Sequence, residues 1–494
     1  MLRLQNASAV SLFVILSACG GGTNKTSDGG STDQKPTVTD FAASPAAVPY
    51  GGGDVTLSWK MSGASSLTLS GATGSVAGKT SVSVHVTSDE TFTLTAKNSA
   101  GTTTATTSVT VATSINVSGH AVTTDGAPLP NATVLVLGKP KVTSDATGAF
   151  TVPDVTPPYT LALVDPANAN RAVIFVGLTA VTPTIGGVSP SGAGITAISG
   201  TVTGGVTPYS GAKNVQVSFA FDGGFDRTTA AADGTYLIPV SVPPGQTQLE
   251  GQLAALEDCN PGGACSPYFG GFGVKDSVTL VSGTQLTGQN VTLGAVGAGT
   301  LTGMSVPPTG YSLLLTEPAI TLPGGHVLVL AKSMSPWTFQ VPLIVGVRYN
   351  IFSAASASPS LSFAGFGPFT AGQSAISLEL SAPPVASVPN GGSASTLGWT
   401  GPDASYVVSV TDGTPNKWMF YTADSSVKLP DLSPLGAALT FVSGATYAQS
   451  FIAFTPKKTV EESAVKGVQG YLPKSYGNNF TLEESLKTSF VFTP

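Results

Sequence analysis

At 494 residues the chain is too long for a single hydrophobic core, so several packing units are expected. Charged residues make up only 10% of it and the net charge is −6, a surface that offers little to nucleic acid or to an acidic membrane face. The mean hydropathy of +0.26 comes from short β-type segments, since beyond residue 19 no uninterrupted apolar stretch approaches the ~20 residues of a membrane-crossing helix.

The chain opens with Arg3 and a short apolar run through Leu12, Phe13, Val14 and Ile15, which closes on Leu16-Ser17-Ala18-Cys19. The run is too short to span a bilayer and reads as a secretion signal over residues 1–18. A plain signal peptide that happens to contain a cysteine would look similar, but small residues directly before the thiol and Gly20-Gly21-Gly22 directly after it favour a processed site. Leu-Ser-Ala-Cys resembles the lipobox of bacterial lipoproteins. That resemblance implies a lipidated Cys19 as first mature residue and a membrane partner held through two or more acyl chains. With Gly20 in place of a retention aspartate, it also implies the outer membrane; exposure at the cell surface is expected, with the periplasmic side as the alternative. Gly20 to Lys35 contain no apolar side chain, so residues 19–35 read as a flexible tether with a reach of roughly 20–25 Å.

Beyond the tether the pattern is all-β. Clusters of Gly, Pro, Ser and Thr separate short alternating runs, and no stretch sustains helical periodicity. The expected architecture is a series of tandem β-sandwich modules. The first, 36–112, contains Val55-Thr-Leu57-Ser-Trp59, Val82-Ser-Val84-His-Val86 and Phe92-Thr-Leu94-Thr-Ala96, each giving one face to a core. The stretch from Thr91 to Gly101, followed by Ser108-Val-Thr-Val111, resembles the last two strands of bacterial Ig-like domains.

In 113–193 the hairpin Asp145-Ala-Thr-Gly148-Ala-Phe150-Thr-Val152 pairs a capping Asp with a glycine for φ > 0 and an inward aromatic. With Ile115-Asn-Val117-Ser-Gly119 it resembles the carboxypeptidase regulatory-like (transthyretin-like) sandwich. The outline recurs in 194–297, where Asp233-Gly234-Thr-Tyr236 matches the turn but Ala231 stands where the capping Asp would be. Residues 298–381 open with Leu301-Thr-Gly303 and match the repeat weakly. In 382–494, Leu397-Gly-Trp399, Tyr406-Val-Val408 and Tyr447 resemble a fibronectin type III domain, with Trp399 filling the core and Tyr447 making the corner. A segment over 457–479 is too long for a simple hairpin. Repeats this diverged predict stacked units joined by short connections, projecting on the order of 100–150 Å as a rod.

Two cysteines remain, Cys259 and Cys265, around Pro261-Gly262-Gly263. In an oxidising compartment the spacing suits a loop disulfide; a cysteine pair is also half of a metal site, but no third ligand stands near. The disulfide is the expectation. Catalysis is not: His85, His120 and His326 fall in three different modules, and no acid, base and nucleophile come together by pattern. No cofactor is expected, calcium being the one candidate ion through Asp222, Asp226 and Asp233, which read otherwise as turn caps. Trp337, Trp418 and Tyr421 are candidate ligand-contact aromatics, to be weighed against an ordinary core role. In Trp418-Met-Phe420-Tyr421, alternation predicts that one face is less buried than the other. The composite expectation is a non-catalytic, lipid-anchored envelope protein whose β-sandwich rod presents its distal module, 382–494, for surface interaction or adhesion, the alternatives being a carbohydrate-binding envelope lipoprotein or a periplasmic scaffold.

Overall fold

The computed structural model describes residues 34–71, 75–123, 127–188, 194–205, 213–221, 224–242, 247–259, 269–330, 336–358, 360–414, 417–464, 480–484 and 488–494. Nearly all of them lie in strands or the turns between strands. Cys19, the signal segment and most of the tether fall outside this set. Packing divides the chain into two units, 1–112 and 113–494.

The smaller unit follows its alternation. Strand Gly53–Ser62 lies between Thr37–Ser44 and Ser81–Val86 in one sheet, and Gly101–Val111 lies between Ala47–Val48 and Glu90–Asn98 in the other. Val55, Leu57 and Trp59 meet Phe92, Leu94 and Ala96 in a single core, each strand sending every second side chain inward.

The larger unit departs from the expected string of modules. In chain order its central strands are β1 (Thr133–Val136), β2 (Tyr159–Val164), β3 (Arg171–Leu178), β4 (Gln248–Cys259), β5 (Phe269–Val281), β6 (Ser312–Thr321), β7 (Val327–Val329), β8 (Arg348–Ala357), β9 (Ser360–Phe369), β10 (Ser405–Thr411), β11 (Lys417–Thr422), β12 (Thr446–Thr455) and β13 (Phe480–Glu484). In one 14-stranded sheet, eleven of these strands run in the order β1-β2-β3-β11-β10-β12-β13-β9-β8-β6-β7, drawn from three of the predicted modules. The joint between 113–193 and 382–494 is a parallel pairing of β3 with β11, in register from Arg171 opposite Lys417 to Phe175 opposite Tyr421. The joint to 298–381 is β13, hydrogen-bonded to β12 on one side and β9 on the other.

Both faces of this sheet are covered around the β3–β11 seam. On one face Leu161, Leu163, Val173, Phe175, Met419 and Tyr421 pack under Val117, Phe150, Val152 and Ile185. On the other, Ala172, Ile174, Trp418, Phe420 and Phe451 pack against Leu397, Trp399 and Val427. The result is three layers, not two adjoining sandwiches. Residues 194–297 form a separate eight-stranded sheet that curls over its own core of Val217, Phe219, Ile238 and Val240. The outer face of β4 and β5 contributes Ala254, Leu256 and Phe272 to a second core shared with Ile320, Leu328, Trp337 and Ile351. The boundaries expected at 193, 297 and 381 therefore do not separate independent cores, and the rod of stacked units is corrected for 113–494. The strands of its seam bury both faces, which requires neighbours on both sides and fuses what repeat spacing suggested were separate beads.

Local chemistry in the turns is as read. Asp145 Oδ1 accepts from the amides of Thr147 (2.8 Å) and Ala149 (3.0 Å), Gly148 has φ +78°, and Phe150 points into the core. The Thr147 hydroxyl and both amides hold the Asp145 carboxyl below its usual range. The matching turn keeps the same backbone bonds without that cap: Ala231 N donates to Thr235 O and Gly234 N to Ala231 O, while Asp233 caps Thr235 instead. A short helix, α1 (Val460–Ala464), opens the 457–479 segment. Thr459 and Glu462 bond each other's amides as a capping box, and Glu461 Oε1 accepts from Thr179 N at 2.6 Å, pinning α1 beside β3.

Candidate functional site

A polar cleft of about 590 Å³ opens where the β4–β5 ladder meets the turn between β6 and β7. It exists because β5 carries a bulge. Gly251 pairs with Val278 and Leu253 with Lys275, so Gln252 faces two residues, Asp276 and Ser277, instead of one. Ser277 takes φ +57° to close the bulge, a backbone state costly for a non-glycine residue. The extra residue turns the Asp276 carboxylate onto the Gln252 amide.

Gln252 is 4% exposed and is held at both ends. Its Nε2 donates to Asp276, and its Oε1 accepts from Gly324 N at 3.1 Å and bonds His326 Nδ1 at 3.1 Å. The orientation follows by elimination. A carboxylate only accepts, so the amide nitrogen must face Asp276 and the amide oxygen must face Gly324 and His326. His326 then carries its proton on Nδ1. The turn supplies its two groups through glycines: Gly325 N donates to Leu322 O with φ +87° at Gly325, and a Cβ at Gly324 would collide with the Gln252 carbonyl oxygen. Glu250 and Thr279, directly opposite each other across the ladder, extend the polar wall one step along the strands.

The other candidate residues are placed as follows. Trp337 is 2% exposed, stacks on Phe339 with centroids 5.0 Å apart, and donates Nε1 to Ser305 Oγ at 3.2 Å. Ser305 belongs to a closed triangle of buried hydroxyls with Thr316 and Ser353 at 2.7–3.0 Å. Trp418 is 1% exposed, stacked on Phe441 and donating Nε1 to Leu439 O at 2.9 Å. Tyr421 is 1% exposed and stacks on Phe175 across the seam at 5.3 Å. None of the three can meet a ligand from solvent, which corrects their candidacy. The expectation that one face of Trp418–Tyr421 is less buried fails because β11 is interior to a three-layer stack. Trp399 and Tyr447 fill the places read for them: Trp399 packs on Phe451, and the Tyr447 hydroxyl accepts from Val442 N at 2.8 Å, five residues upstream.

His85 pairs with Asp54 at 2.8 Å on exposed strands, His120 is exposed, and His326 lines the cleft. Among the described residues no group of three or more His, Cys, Asp or Glu is placed to hold a metal ion. Of the calcium candidates, Asp226 accepts from Ser241 N and Asp233 from Thr235, while Asp222 lies outside the described residues. Cys265 also lies outside them, and with it the pairing to Cys259. One further acid stands out: burial pushes the Asp258 carboxyl up to about 6, with Arg227 drawing it back in part. A second, more apolar groove of about 690 Å³ is lined by Leu137, Val176, Leu432, Phe441 and Phe492.

No family model matches the chain, and no curated protein matches it. Among solved structures it is similar to the TIE protein of Bacillus anthracis, at 13% identity over 71% of this chain and 75% of that one, with a TM-score of 0.20. It is also similar to a Ca2+-stabilized adhesin with which an Antarctic bacterium binds ice, at 14% identity over 70% and 99% with a TM-score of 0.14. BcpA, the major pilin subunit of Bacillus cereus, matches at 10% identity over 54% and 98% with a TM-score of 0.13. At such scores the all-β assignment rests on the strands and cores described above.

Proposed function

We propose that this chain is a lipid-anchored, non-catalytic protein of a bacterial cell envelope that works by binding an external protein or glycan, with the fused body 113–494 as its rigid frame. Leu16-Ser-Ala-Cys19 and the polar stretch behind it support the anchor and tether. The observation that carries the binding reading is the chain Asp276–Gln252–His326. Its central member is an amide, which fixes Asp276 and His326 in orientation without relaying a proton between them, and this supports a cleft that presents fixed polar atoms.

The anchor is tested by Cys19→Ala together with an impermeant protease on intact cells. The wild-type protein sediments with membranes and is cleaved on intact cells, whereas the variant leaves the membrane. Protection until the envelope is opened moves the protein inward and favours a scaffold role, and an unchanged variant refutes the anchor.

A further inference from the structure

The cleft around Gln252 has a lining that selects its ligand. We propose that it binds a neutral, polyhydroxylated ligand, a saccharide; this rests on the binding reading above and narrows it.

Three observations carry the assignment. First, among the described residues no Lys or Arg lines the cleft, while Glu250 and Asp276 do, so an anionic ligand would be repelled. Second, the lining is mixed. Two carboxylates accept only, and the Ser277 and Thr279 hydroxyls both donate and accept. Sugar hydroxyls, each donor and acceptor, complement both kinds at once: they donate to the carboxylates and exchange both roles with the hydroxyls, whose O–H donors a cation cannot use. Third, the polar atoms stand in a row. Glu250 opposite Thr279 forms one step and the exposed Asp276–Ser277 bulge, held from behind by Gln252, forms the next, two residues along the strands or about 7 Å apart. An extended ligand with repeated hydroxyls meets both steps.

The wall is rigid before any ligand arrives. Gln252 is satisfied by Gly324, His326 and Asp276, so its atoms need no reordering on binding. Pro323 completes the rim and among the described residues no aromatic ring lines it, so the hydrogen bonds gain no stacking from these residues, and binding of a short saccharide is expected to be weak, with a Kd of about 1 mM.

The test is titration of the full chain, followed by amide chemical shifts or calorimetry, with maltotriose, cellotriose and chitotriose, and with spermidine as a cationic probe. The double variant Glu250→Ala/Thr279→Val changes two exposed strand positions and is checked for an unchanged thermal melt. At least one trisaccharide binds the wild type, and the double variant weakens it about tenfold or more. Saccharide binding that survives the double variant, or no saccharide binding at all, overturns the assignment. Spermidine binding that the double variant abolishes, with the sugars inert, also overturns it but leaves the broader binding reading intact, which fails separately if neither the sugars nor spermidine binds.

Discussion

Replacing Asp258 by Asn should stabilise the larger unit, and only above a defined pH. Asp258 is the penultimate residue of β4, its Oδ1 is buried with no hydrogen-bond partner among the described residues, and burial raises its pKa from 3.8 to about 6. A raised acid pKa means the native state holds the proton more tightly than the unfolded chain does. The favourable contribution is therefore complete below about pH 4, declines as pH rises, and is gone above about pH 6, where folding must carry a partly desolvated carboxylate. A shift of about two units corresponds to about 3 kcal/mol, and residual solvent contact at this half-buried site reduces that to about 1–2 kcal/mol. Asn keeps the shape and removes the charge. Urea unfolding of the larger unit should thus show Asp258→Asn more stable by about 1–2 kcal/mol at pH 8, with the gain shrinking through pH 6 and vanishing near pH 4. A gain independent of pH, or a loss at pH 8, would refute the assignment of the shift to burial.

Two other substitutions probe the frame. Tyr421→Ala removes a ring stacked on Phe175 at the β3–β11 seam and should cost about 3–5 kcal/mol in the larger unit while leaving the unfolding of 36–112 unchanged; a loss below about 1 kcal/mol would contradict the burial. Gly148→Ala places a Cβ against the Ala121 carbonyl oxygen at a positive φ and should lower stability by more than about 1 kcal/mol in a thermal melt, whereas Gly138→Ala, at φ +79° in open space, should show only the smaller backbone cost.

Alternation and turn chemistry were legible residue by residue. Val55, Leu57 and Trp59 face inward as their spacing requires, and Asp145, Gly148 and Phe150 each do in the hairpin what their chemistry suggests. The seam was not legible as a partnership. Ala172 to Phe175 and Trp418 to Thr422 are unbroken buried runs, and such runs announce strands covered on both faces without naming the neighbour that covers them. Sequence alone therefore leaves Trp418 and Tyr421 open between a core role and ligand contact, and the third layer hides both rings. The cleft was hidden for a different reason. Gln252 and His326 lie 74 positions apart, and the bulge that joins Gln252 to Asp276 depends on a serine at positive φ, which no local residue pattern marks. The Gly324-Gly325-His326 turn and the polar Glu250 and Gln252, two residues apart on one face of β4, were the available signals.

The fused body is the claim on which the cleft and the burial of the aromatics both depend, and residues 382–494 expressed alone test it most directly. Without Arg171–Leu178 beside Lys417–Thr422, the face carrying Met419, Tyr421 and Phe454 is left bare. The fragment is predicted to lack a cooperative thermal transition and dispersed amide shifts. A fragment that folds cooperatively by itself would contradict the shared sheet and restore a chain of independent modules.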